Sequence, residues 1–412
     1  MSDLHDLCRF STRPIDESYI TQLHHYLKSG IPATYTVEEA ANYINGIEET
    51  PSTTTTPLHL ICMNVPLGCT DEELEIVEKM IEILLEYGAG WCFTDVNNET
   101  PGCILIRRGL KHVGKLYSQI VDAGVRAELL LRKVSDYDVE FIDPEDVEAQ
   151  QNETVESEVV VESKDSEIDD APDAPSQNQQ SYLNTKLEYV DDALVTKDRK
   201  DGVMMAWESD LMKLGCDSLF KGAILDGDTK EMDSEIVVLN IGFGMGIIDT
   251  MIQHQHPTKH YICEAHPDVL KKLKDDGWYE KPNVVILEGR WQDNLDELLS
   301  QGVFFNGIYY DTFSEHYQDM LELFDFVVGL LKPHGVFSFF NGLGADREVI
   351  YEVYKQLVEI DLKTYGLDVK FTEVEVPEST LKSNDKSVWD DVKRSYWSCP
   401  VYYHPEARFI DI

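Results

Sequence analysis

Basic side chains are scarce in this 412-residue chain. Lys and Arg number 35 against 77 Asp and Glu, a formal net charge of −42. That shortage argues against nucleic acid or an anionic membrane surface as the main partner, because phosphate binding needs a basic footprint. It leaves either a cationic partner or an acidity that serves solubility alone. No apolar run approaches the ~20 residues of a membrane span. The opening Met1-Ser2-Asp3-Leu4-His5-Asp6 has neither a basic region nor an apolar stretch, so secretion is not expected. The eight cysteines form no Cys-x-x-Cys pair. Their scatter predicts free, mostly buried thiols in a reducing compartment, the cytoplasm or the nucleus, and no metal site. Apolar residues are plentiful: 42% are hydrophobic and 10% aromatic, ample for packed cores. The length suits two or three domains.

Composition divides the chain. Between Asp143 and Pro175 there are thirteen acidic residues against Lys164, followed by a Gln- and Ser-rich stretch. Such a segment cannot bury enough apolar surface to offset the entropy of ordering. The expected division is therefore 1–142, a linker over 143–180, and 181–412. In the first part, Thr56-Pro57-Leu58-His59 and Thr100-Pro101 read as helix starts, with Pro pre-set for the first turn. An apolar stripe of Ile76, Ile81, Leu84 and Leu85 ends at Gly88-Ala89, and a second helix is expected to end at Ala123-Gly124. These features resemble ankyrin repeats, whose period is about 33 residues. The resemblance implies a helical recognition module with a protein partner; a generic helical bundle is the alternative.

After residue 181 the pattern alternates. Strands are expected at Ile236–Ile241, His260–Cys263, Val284–Leu287, Gly307–Tyr310 and Val336–Phe340, with helices between them. This order predicts a doubly wound, mostly parallel α/β sheet. Val369–Val376 and Ser395–Tyr403 suggest an antiparallel hairpin at its end.

The sharpest motif is Val237-Val238-Leu239-Asn240-Ile241-Gly242-Phe243-Gly244-Met245-Gly246. An apolar strand runs into Gly-x-Gly-x-Gly and then a helix, which lets the backbone turn tightly against a ligand. Glu264 follows the next strand, where such sheets carry an acid for ribose hydroxyls. A dinucleotide site wants its third glycine where this chain has Ile247. The loop therefore suits S-adenosylmethionine (AdoMet), with a dinucleotide or a ligand-free turn as alternatives. The fourth strand ends at Tyr310-Asp311-Thr312-Phe313. Asp311 there is a candidate guanidinium holder and proton acceptor, since carboxylates accept paired hydrogen bonds from that planar cation. Glu208, within Val203–Met212, reads on its own as an exposed residue of an amphipathic helix.

Four segments change that reading: Val203–Met212, Gly242–Gly246, Gly289-Arg290-Trp291-Gln292 and Tyr310–Phe313. Together they resemble guanidinoacetate N-methyltransferase. With the ankyrin-like part and acidic linker, the whole chain is similar to the fungal protein arginine N5-methyltransferase family. The resemblance implies a class I AdoMet-dependent methyltransferase with a seven-stranded sheet, acting on the δ nitrogen of arginine in a basic protein. In that family the substrate class includes ribosomal protein. It implies that Gly242, Phe243, Gly244, Met245, Gly246 and Ile247 wrap the methionine part of the cofactor. Glu264, Ala265 and His266 would hold the ribose, and Trp291 and Gln292 would flank the adenine. Tyr189 and Met212 would cover the cofactor, while Asp311 and Glu208 would grip the guanidinium. A monomer is expected. A small-molecule guanidino methyltransferase and a non-catalytic ankyrin scaffold are the rival readings.

Overall fold

The computed structural model describes residues 3–51, 54–135, 178–224, 233–381, 387–393 and 395–410. The chain separates into two compact units, Met1–Asp169 and Asp170–Ile412. The acidic linker lies outside the described residues except at its end. There Asn178 caps a helix that starts inside the expected linker, its side chain accepting from Ser181 N at 2.9 Å.

The first unit contains α1 (Asp3–Leu7), α2 (Glu17–Lys28), α3 (Val37–Asn45), α4 (Pro57–Asn64), α5 (Asp71–Glu86), α6 (Pro101–Arg107) and α7 (Leu116–Ser135). Threonine starts α3, α4, α5 and α6, its hydroxyl taking an N–H that the first turn cannot satisfy. His59 anchors the next loop, Nε2 lying 2.9 Å from Phe93 O. Two expectations need correction. The α5 stripe is carried by Val77, Met80, Ile81, Ile83 and Leu84, while Ile76 and Leu85 are only half-buried. Gly124 does not end a helix: α7 runs through it, and the glycine is buried there. The spacing from Gly88 to Gly124 is thus not a spacing between two helix ends.

The second unit opens with α8 (Gln179–Asn184) and a three-stranded antiparallel sheet, β1 (Leu187–Val190), β2 (Ala193–Thr196) and β3 (Gly202–Met205). A single 3-10 turn, Ala206–Glu208, leads into α9 (Ser209–Lys221). Val203–Met212 is therefore not one helix. Its first three residues belong to β3, where Met204 and Met205 pair with β2, and Glu208 falls at the turn where strand becomes helix.

The main sheet comprises β4 (Val237–Ile241), β5 (Lys259–Glu264), β6 (Val284–Glu288), β7 (Phe305–Tyr310), β8 (Leu331–Phe339), β9 (Leu367–Glu375) and β10 (Val401–Phe409). Its order is β6-β5-β4-β7-β8-β10-β9. The pairs from β6 to β8 are parallel; β10 runs antiparallel to both neighbours. The hairpin exists, but its second strand starts six residues later than expected. Residues 395–400 instead belong to the loop, where Trp397 and Cys399 are buried in an aromatic cluster. Every residue of β4 and β7 is buried, as befits parallel strands covered on both faces. Five helices flank the sheet: α9, α10 (Ile247–His254), α12 (Trp291–Gln301), α13 (Tyr317–Leu330) and α14 (Glu348–Thr364); α11 (Pro267–Asp275) follows β5. Among the described residues no helix is long and apolar enough to cross a membrane.

The chain leaves β4 toward β5 and β6 and returns on its other side as β7. Ligand crevices form at such a switch, off the C-terminal strand ends. A buried network braces it from below. Asn240 Nδ2 donates to Gly242 O at 2.8 Å and to both Asp249 oxygens at 2.9 Å, and His260 Nε2 lies 3.1 Å from Asp249. Asn240→Ala removes the amide that serves both oxygens of the buried Asp249 carboxylate, leaving His260 alone beside it among the described residues, and should cost about 2 kcal/mol. Denaturant unfolding of the full chain would read this as an earlier transition of the second unit.

Candidate active site

Gly242 follows β4 with φ +94°, in the left-handed region. A Cβ there would lie 1.9 Å from Asp311 O. Glycine is thus what lets the ends of β4 and β7 meet, where Asp311 N donates to Ile241 O at 2.9 Å. Gly244 is similarly constrained, since a Cβ would strike Met204.

Glu264 ends β5 almost fully buried. Its carboxylate accepts from Phe243 N at 2.9 Å and from His266 N at 2.7 Å, and the Gly244 and Ala265 backbones add to this. Burial raises its pKa above the ordinary carboxylate range, while those backbone N–H groups pull the other way. Met245 N faces the Met204 sulfur at 3.2 Å. The loop N–H groups at 243, 244 and 245 are therefore spent inside the protein rather than offered to a phosphate.

Two cavities meet here. The first is lined by Gly242, Gly244, Glu264, Ala265, Trp291 and Asp311, with Gln179, Tyr182 and Leu183 from α8. Its charged lining is Glu264, Asp311, Glu315 and one guanidinium, Arg290. Three carboxylates and an internally satisfied loop fit a sulfonium and a ribose; they do not fit a pyrophosphate. The residues present thus suit AdoMet, with Glu264 toward the ribose. The second cavity is lined by Glu208, Asp311, Ser314, His316, Met320, Phe339, Leu343 and Tyr396. It shares Val203, Asp311, Thr312, Phe313 and Glu315 with the first.

Asp311 stands at the junction. Its Oδ2 has no hydrogen-bond partner among the described residues. Burial, with a smaller repulsion from Asp249, pushes its pKa up to about 7. Glu208 is 2% exposed. Its carboxyl is held well above the usual range by burial first and then by Asp311, against hydrogen bonds from Tyr396 and the Met205 backbone. The exposed helix residue expected at 208 is thus a buried acid facing a cavity.

Several sequence-derived residues do not line the first cavity. Phe243 turns its ring onto Trp278, at 5.3 Å between centroids, and contributes only its N–H. Met212 is fully buried in the core behind the loop, against which Met245, Ile247 and Tyr189 also pack; Met204 reaches the cavity instead. Tyr189 donates its hydroxyl to Gly244 O at 2.9 Å, bracing the loop from outside. Gly246 caps α10. His266 is held by Asp268 N and lies 3.1 Å from the carbonyls of Tyr182 and Thr185. The Gln292 amide is buried without a hydrogen-bond partner among the described residues.

Other residues had not been picked out. Glu315 gathers Gln179 (2.6 Å), the Trp291 indole N–H (3.0 Å), Tyr310 O–H (2.5 Å) and Thr312 O–H (2.7 Å). Its only sequence mark is a carboxylate four places after Asp311. Tyr182 packs tilted against Phe313 and His266, at 4.9 and 4.7 Å between ring centroids. Tyr396 bonds Glu208 across 188 positions, which no local pattern announces.

The family model for guanidinoacetate N-methyltransferase matches residues 202–373, which span the sheet from β3 into β9. A relative from Debaryomyces hansenii, named protein arginine N-methyltransferase 2, is 64% identical over the whole of both chains. Relatives of the same name from Kluyveromyces lactis and Saccharomyces cerevisiae are 53% and 52% identical, each alignment covering 99% of this chain and all of the relative. A class I methyltransferase sheet, a loop shaped for AdoMet and full-length identity of this order converge, and the chain belongs to the protein arginine N-methyltransferase 2 family.

Proposed function

We propose that this chain transfers one methyl group from AdoMet to the δ nitrogen of an arginine in a basic protein, a ribosomal protein being the favoured class. The observation that carries this reading is the pair of buried carboxylates, Glu208 and Asp311, in a cavity that meets the cofactor cavity at Asp311. AdoMet supplies an electrophilic methyl on a sulfonium.

The residues of the chain do the rest. The wall of the second cavity includes Phe313, Phe339, Phe340 and Leu343, apolar surface suited to the arginine methylenes. Among the described residues no Lys or Arg lines it, so a guanidinium is the natural counter-charge to its acids. Asp311 grips the guanidinium and takes the proton released as the new C–N bond forms, and Glu208 holds the far side. Proximity and fixed charge supply most of the rate. The guanidinium is always protonated. An acid whose pKa lies near 7 therefore serves both tasks, pairing when ionised and accepting a proton afterward. The N-terminal helices, read as ankyrin-like, would recognise a protein partner.

Three outcomes test this. Asp311→Asn should lower kcat by about 10² to 10⁴-fold, with AdoMet affinity within a few-fold of wild type; near-wild-type turnover would sink the assignment. Because Asp311 must be ionised, kcat/KM should fall as pH drops through about 7, an acidic limb that pH profiles would reveal. Glu264→Ala should weaken AdoMet binding by about tenfold or more, since a buried charged acceptor is lost, as titration calorimetry would report. The product itself is identified by hydrolysing the labelled protein and separating methylarginine isomers. A terminal-nitrogen isomer, or labelling of guanidinoacetate in preference to protein, would replace the reading.

A further inference from the structure

Glu208 ends a one-turn 3-10 segment at the point where β3 gives way to α9. What reaches it comes from the far end of the chain. The loop between β9 and β10 brings Tyr396 over the second cavity, where its phenol O–H donates to Glu208 Oε1. The ring is gripped from two directions. Trp389, from the same loop, packs edge-on at 4.8 Å with 80° between the planes. On another side lies Gly202, first residue of β3, where an added Cβ would stand 3.1 Å from the ring carbon Cε1. The absence of a side chain at 202 is what gives the ring room.

The titratable groups that face Glu208 are Asp311 at the end of β7, Tyr309 within β7, Tyr402 of β10 and Tyr396. Among the described residues, Tyr396 and the Met205 backbone donate hydrogen bonds to it. Burial and the neighbouring Asp311 hold the carboxyl above its usual range even with these donors in place, and losing a donor raises it further; a neutral acid makes a poor partner for a guanidinium.

We propose that Tyr396 is a positioning residue for the acceptor: its O–H holds Glu208 in the orientation that grips the arginine side chain. This rests on the proposed function, and it assigns to the β9–β10 loop a part in substrate binding. A donor to the ionised carboxylate stabilises that form and fixes its lone pairs, so an arriving guanidinium meets an aligned anion. Removing the hydroxyl while keeping the ring should therefore weaken acceptor binding and leave the cofactor cavity, which Tyr396 does not line, unchanged.

The experiment uses full-length enzyme, methyl-labelled AdoMet, and an acceptor purified as the band that wild type labels in extract from a strain lacking the enzyme. Tyr396→Phe should raise the acceptor KM by about tenfold or more, with affinity for S-adenosylhomocysteine unchanged. It should also move the acidic limb of kcat/KM to higher pH, because Glu208 becomes harder to ionise. Gly202→Ala keeps the phenol but displaces the ring, and should raise acceptor KM in the same direction by less. Wild-type KM and an unmoved acidic limb in Tyr396→Phe would overturn the proposal. So would an equal loss of acceptor and cofactor affinity with the limb unmoved, the mark of a loop that only supports the fold. If wild type labels no arginine in the extract, the reading of the site fails first, and the proposal with it.

Discussion

Two buried carboxylates, facing a cavity that no Lys or Arg lines among the described residues, set the terms for the rest of the catalytic unit. Such a pair is costly when ionised, because burial favours the protonated form of both and Asp311 raises Glu208 further. The raised Asp311 and Glu208 carboxyls record that cost. Only a structure stabilised elsewhere can hold it, and the fully buried β4 and β7 strands with the Asn240–Asp249–His260 network beneath them provide that support. A cation entering the cavity relieves the strain. The site is therefore selective for positive charge before any shape is considered.

The same economy governs the cofactor side. Gly242 lets β4 and β7 close to a distance that no other residue permits, so Asp311 stands at the wall common to both cavities. The loop then satisfies its own N–H groups, on Glu264 and on the Met204 sulfur. A glycine-rich loop is commonly a phosphate cradle. Here it is a rigid rim, and the charges it presents are negative. Glu315 extends the pattern, tying the Trp291 indole, α8 and the end of β7 into one hydrogen-bonded junction beside both cavities.

Much of the fold was legible because its signals are local. The five parallel strands are short apolar runs bounded by turns, and they lie within a few residues of where the pattern puts them. The glycine loop, Glu264 and Asp311 are marked by spacing within single strand–loop–helix units. Where local pattern misled, a tertiary contact decided. Gly124 looked like a helix end but is buried inside α7. Val203–Met212 looked like one helix, but pairing with β2 turned its start into a strand. Met212 and Phe243 carry family-type positions yet turn into the core, and Met204 faces the cavity in their stead.

The chain's acidity, its strand–helix alternation and its Gly-x-Gly-x-Gly loop with a following acid were determined by sequence alone, since the first is a matter of composition and the others are patterns among near neighbours in the chain. The burial of Glu208, the sharing of Asp311 by two cavities and the convergence of Gln179, Trp291 and Glu315 were decided only by the tertiary structure. Tyr396 is the clearest case. Its bond to Glu208 spans 188 positions, and it exists because β10 folds back between β8 and β9 and carries the preceding loop over the C-terminal ends of the parallel strands. Periodicity reports which face of an element is apolar; it holds no record of which distant side chain will meet a buried charge.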